Sequence, residues 1–200
     1  MLMSTGPAAP ETLIPELEDC RRQFEQIRED AVRLAEGLDN RQFNWRPGPG
    51  QWSIAECLGH LIIAGEAHRR GLDVALERAR ARGLTGRPPF RYPALQRWIL
   101  AATAPESRRR FRTPRRFRPL ADQPLTAVMP TFLHLQRQFL ELIGQANGLD
   151  LARVKVVTPI SRFYRFRLGI VFAQVAAHER RHLLQAQRVR EHPDFPKPVA

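Results

Sequence analysis

The sequence predicts an all-α protein with four long helices around one core. Two observations carry that reading. Four stretches place apolar residues at three- and four-residue steps with charges between them, and the segments joining those stretches are dense in proline and glycine. Two hundred residues suit a single domain with a sizeable core, expected over residues 11–191 after a disordered start at 1–10 and before a short tail at 192–200.

The first helix is expected from Glu11 to about Leu38, where Leu13, Leu17, Cys20, Phe24, Ile27, Ala31, Leu34 and Leu38 form one apolar stripe. Pro15 is tolerated if it falls in the first turn, and Gly37 with Asn40 supplies the stop. Next comes Phe43-Asn44-Trp45-Arg46-Pro47-Gly48-Pro49-Gly50-Gln51-Trp52, too rich in proline and glycine for a helix. Its three large aromatic rings predict a loop packed down over the core. Ser53-Ile54-Ala55-Glu56 then has the form of a capping box and opens the second helix, expected to reach about Arg82.

Residues 83–122 form a crossover insertion with eight prolines or glycines, including Gly83, Pro88, Pro89, Pro105 and Pro119. A continuous helix is impossible there, although Ala94 to Thr103 admits a short one around Trp98. The third helix is expected from near Pro124 to Asn147-Gly148, with Pro130 either kinking it or marking its true first turn. A connection rich in β-branched and aromatic residues, 148–166, is placed over one mouth of the domain, and the fourth helix runs from about Leu168 to Arg190.

The fourth helix carries His178-Glu179-Arg180-Arg181-His182. Residues four apart lie about 40° apart around a helix and ~6 Å apart along it, so His178 and His182 can share one ligand. Val175 and Val171 continue the same face backwards, which turns both imidazoles inward. An ordinary solvated or individually hydrogen-bonded pair remains the common alternative. The letters also spell the His-Glu-x-x-His of zinc peptidases, but the extended form of that motif needs Gly at 185 and His at 188, where Gln185 and Arg188 stand.

His60 on the second helix could complete a three-histidine set with an open coordination position, the arrangement of a reactive metal site. A lone histidine on an apolar face is otherwise a satisfied core residue. Cys57, one turn earlier, reads as a fourth ligand or as a small space-filling thiol. His134 falls off the main apolar face of its helix.

Asn44-Trp45-Arg46-Pro47, Gly50-Gln51-Trp52-Ser53-Ile54-Ala55-Glu56-Cys57-Leu58-Gly59-His60-Leu61 and Ala177-His178-Glu179-Arg180-Arg181-His182-Leu183-Leu184-Gln185-Ala186 together resemble the DinB-like superfamily, in particular its DinB_2 branch. The two motifs stand in the right order, and the helical pattern extends the likeness over roughly Leu13 to Arg190. The resemblance implies a four-helix bundle holding a divalent metal, zinc or nickel, on one histidine of the second helix and a pair from the last. On this chain those roles fall to His60, His178 and His182. It also implies kinship with thiol-cofactor-dependent transferases and isomerases, and it implies no DNA binding.

The expected function is therefore metal-dependent transfer with a low-molecular-weight thiol, or hydrolysis. Glu56 and Glu179 are the carboxylates nearest the ligands in sequence. Both are candidate catalytic residues, although Glu56 reads first as a cap, and Glu179 faces either solvent or another helix or serves as a base or as a hydrogen-bond partner behind a ligand. A bundle that binds metal without turnover, and an arginine-rich nucleic-acid binder, are the competing readings.

The charge of +12 feeds the last of these, since Arg108-Arg109-Arg110-Phe111-Arg112-Thr113-Pro114-Arg115-Arg116-Phe117-Arg118 interleaves guanidinium groups with rings. A solvated crossover loop pinned by Phe111 and Phe117 is the preferred account. In a third account the arginines border the metal cleft and select an anionic small-molecule substrate or a carboxylate-bearing thiol. Nucleic acid is accordingly not the expected partner, and a homodimer is left open. Two cysteines, no signal-like N-terminus and no apolar run of membrane length lead to a cytoplasmic assignment without a membrane partner.

Overall fold

A computed structural model of the chain describes residues 12–105, 107, 112–159 and 161–197, with the side chains of 161 and 162 excepted. The expectation of a disordered start at 1–10, the end of the tail at 198–200 and residues 108–111 of the arginine segment lie outside the described residues. Helix α1 spans Pro15–Ala35, with Pro15 at its first position as its missing N–H allows. It stops three residues before Leu38, because Asp39 and Gln42 form a capping box of their own and open the four-residue α2, Asn40–Phe43.

The expected box at Ser53 and Glu56 starts α3, Ile54–Ala81. The crossover holds the short α4, Ala94–Thr103, and a 3-10 turn at Arg115–Phe117. Helix α5 covers Leu125–Gln145 and keeps Pro130 inside it, so this proline does not mark the first turn. The last helix, α6, is Leu168–Arg190.

The long helices form the four-helix bundle: α1 and α3 each pack against both α5 and α6. Phe24, Phe132, Phe139 and Phe172 are fully buried in this core, and Phe24 stacks on Phe139 with ring centroids 5.0 Å apart. Helix α4 packs on α6, with Gln96 buried beneath it: its Oε1 accepts the Arg167 N–H at 2.9 Å.

The 148–166 connection contains a feature that helical periodicity does not show. Strands β1, Lys155–Thr158, and β2, Ser161–Arg167, pair antiparallel, with Val156 opposite Phe166 and an irregular register before Thr158. The hairpin lies on α3 at Gly71, where a Cβ would collide with the Val157 carbonyl oxygen.

Residues 192–197 also lie against the bundle. Phe195 meets the Trp45 ring edge-on at 5.6 Å, the Gln42 amide donates to the Pro196 carbonyl at 2.8 Å, and Arg41 donates to that of Lys197 at 2.7 Å. Among the described residues no helix is long and apolar enough to cross a membrane.

Candidate metal centre

Helix α3 presents His60 and α6 presents His178 and His182, and one donor atom from each lies within 4.8 Å of the others. The rings meet edge-on at centroid separations of 4.6–5.1 Å. His60 Nδ1 donates to the Phe117 carbonyl oxygen at 2.8 Å, which fixes the tautomer and leaves Nε2 with a lone pair. That Nε2 is 3.2 Å from His178 Nε2. Nitrogens on a four-coordinate zinc at 2.0–2.1 Å stand roughly 3.3 Å apart, so a cation would need little more than a tautomer shift that moves the proton between these two atoms to the other nitrogen of the His178 ring. His182 Nδ1 donates to Gln185 Oε1 at 3.0 Å, leaving Nε2 as its free nitrogen.

The electrostatics favour neutral rings. Burial is the first cause in all three: it lowers His60, it pushes His178 well below the ordinary 6.5 with help from its neighbouring imidazoles, and it takes His182 down to about 3. Neutral imidazoles with free lone pairs, two of them oriented through the other ring nitrogen by an oxygen, form a donor set that suits a divalent cation. Trp52 closes one side of the cluster, stacked on His182 at 5.6 Å and tilted over His60 at 5.0 Å.

The loop carrying Trp52 is anchored by Glu56. Its carboxylate accepts the Ser53 backbone N–H at 3.0 Å and two bonds from Arg46 at 2.7 Å, so both oxygens are engaged in holding loop and helix start together. Glu179 does not face solvent. It is 1% exposed, and burial raises its carboxyl to about 8; the nearby Gln136 amide of α5 opposes that rise, though outside hydrogen-bond geometry.

Cys57 is buried, with its thiol pushed up chiefly by burial, and it is not among the grouped donors. His134 is exposed beside Arg137, and His68 is buried with Nδ1 donating to the Ala64 carbonyl at 2.9 Å. Sequence reasoning missed two parts of the centre. A carbonyl such as that of Phe117 leaves no trace in the residue letters, and Gln185 was signalled only by standing one turn after His182, whereas the tryptophan loop was expected over the cation.

The model of the DinB superfamily matches residues 23–186, from the middle of α1 to the end of the histidine motif. The chain belongs to the DinB superfamily. No curated protein and no solved structure gives a significant match. Membership and the three-histidine cluster together fit a metal-binding DinB-like protein, and all three histidines lie within the matched range of this DinB-superfamily chain.

Proposed function

We propose that this DinB-superfamily protein is a divalent-metal-dependent enzyme, a thiol-cofactor transferase or a hydrolase, with zinc or nickel held by His60, His178 and His182. The observation that carries the reading is the convergence of three neutral imidazoles, two of their Nε2 atoms 3.2 Å apart, on a buried point shared by α3 and α6. A divalent cation there would keep its full charge and lower the pKa of a water or thiol, supplying a nucleophile at neutral pH.

The other residues have parts that follow from their contacts. The Phe117 carbonyl and the Gln185 amide orient His60 and His182, while Trp52 covers the rings from water. Glu56 is a positioning residue, since its oxygens hold Arg46 and the α3 start. Glu179, with a carboxyl raised to about 8, keeps its proton at neutral pH, which suits a proton donor and not a general base.

Metal analysis of purified protein and of His60→Ala, His178→Ala and His182→Ala variants tests the centre. One equivalent in the parent and a clear loss in each variant are expected, and unchanged metal content in the variants sinks the assignment. Loss of a thiol in the presence of electrophiles, abolished by a chelator and restored by metal, tests turnover. Stoichiometric metal with no turnover for thiol or water nucleophiles would leave a binding protein in place of an enzyme.

A further inference from the structure

The described arginines between 112 and 118 divide into two kinds. Arg116 is used in folding: its guanidinium lies 4.8 Å over the Phe117 ring and donates to the Pro159 carbonyl at 2.6 Å. Arg112, Arg115 and Arg118 are exposed and, among the described residues, have no carboxylate within ion-pair distance and no side-chain hydrogen bond. With Thr113 and Pro114 they line one open cavity of about 500 Å³. Three guanidinium groups around a common space repel one another and raise its positive potential, a cost that an anion relieves.

The segment that carries these arginines is tied to α3 at His60 and Gly59. The residue between Arg116 and Arg118 is Phe117, whose carbonyl accepts from His60, and Pro119 approaches α3 so closely that a Cβ on Gly59 would sit 3.3 Å from its own. The segment therefore couples unpaired positive charge to a ligand histidine, which a solvated linker has no reason to do.

We propose that Arg112, Arg115 and Arg118 form the anion-selecting wall of the metal centre, so that the small molecule it takes carries a carboxylate or phosphate group. This rests on the three-histidine metal reading. Planar guanidinium groups bind either anion through paired N–H donors, and the thiol or electrophile to be activated would be held by its charged end.

The test uses cobalt-loaded protein, in which thiol coordination appears as a sulfur-to-cobalt absorption band. Mercaptosuccinate should bind at least about tenfold more tightly than uncharged 2-mercaptoethanol, as paired charge-assisted bonds allow. In the Arg112→Gln/Arg115→Gln/Arg118→Gln variant that ratio should fall towards one; all three side chains are exposed, so folding is not at stake. Equal affinity for the two thiols in the parent, or an unchanged ratio in the variant, overturns the inference and leaves the metal centre standing. Failure to take up cobalt removes both.

Competition separates the anion classes. Stronger displacement of mercaptosuccinate by phosphate than by succinate assigns a phosphate group, the reverse assigns a carboxylate, and displacement by neither overturns the proposal. A triple variant that loses single-stranded oligonucleotide binding while keeping the thiol ratio would give these arginines to nucleic acid and overturn it as well.

Discussion

Replacing Glu179 with glutamine should protect the metal-free protein against rising pH. Burial lifts this carboxyl from its ordinary 4.5 to about 8, so across that interval the folded chain keeps a proton that the unfolded chain has released. For a folded-state value raised in this way, the group's stabilising share is complete below pH 4.5 and is lost as pH rises through 8. The loss runs at about 1.4 kcal/mol per pH unit, or roughly 5 kcal/mol over the whole interval. Glutamine has nearly the same shape and no proton to lose. Urea unfolding of both proteins in chelator at pH 5, 6, 7 and 8 measures the difference directly. The advantage of Glu179→Gln should grow by up to about 1.4 kcal/mol with each unit. Parallel stability curves for the two proteins would refute the reasoning.

The histidines should act in the opposite sense. With all three lowered and His182 near 3, their share of metal-free stability is intact above pH 6.5 and lost as acid is added towards pH 3, which thermal unfolding between pH 4 and 7 will show. Because the rings are already neutral, zinc affinity measured against a competing chelator should change little between pH 7 and 8. Trp52 lies against the His60 and His182 rings, so cobalt or nickel bound at the proposed centre should quench tryptophan emission, and Trp52→Phe should remove most of that response while Trp45→Phe should not. Arg46→Ala leaves the 6%-exposed Glu56 with its cap bond alone and should cost about 1–2 kcal/mol in denaturant unfolding, the exposed arginine limiting the effect.

The long helices were legible because their signals agree: the apolar stripe of α1, the Ser53 box of α3 and the histidine face of α6 each follow from local sequence. The convergence of His60 with His178 and His182 was expected on the strength of motif and resemblance, and the geometry brings the three together. The burial of Glu179 was harder to read. Helix α6 packs on α1, α3 and α4, so more of its circumference is covered than a two-sided helix would show, and a charged letter there no longer signals solvent. The β1–β2 hairpin was hidden for another reason. Its strands are short, and β-branched and aromatic residues in a connection describe a cover over the core as readily as a paired ribbon. The docking of residues 192–197 onto α2 depends on backbone carbonyls, which composition does not encode.

His60 and His178 are 118 positions apart, and their meeting has a thermodynamic consequence for anyone handling the protein. An ion held by both ends of that span, as proposed, would be a removable cross-link on the chain. At a free concentration a thousand times its dissociation constant it would add about 4 kcal/mol to the folded state, an increment comparable with the whole margin of many small domains. Chelating buffers would strip that increment during purification, so resistance to heat should track metal supply as closely as it tracks sequence.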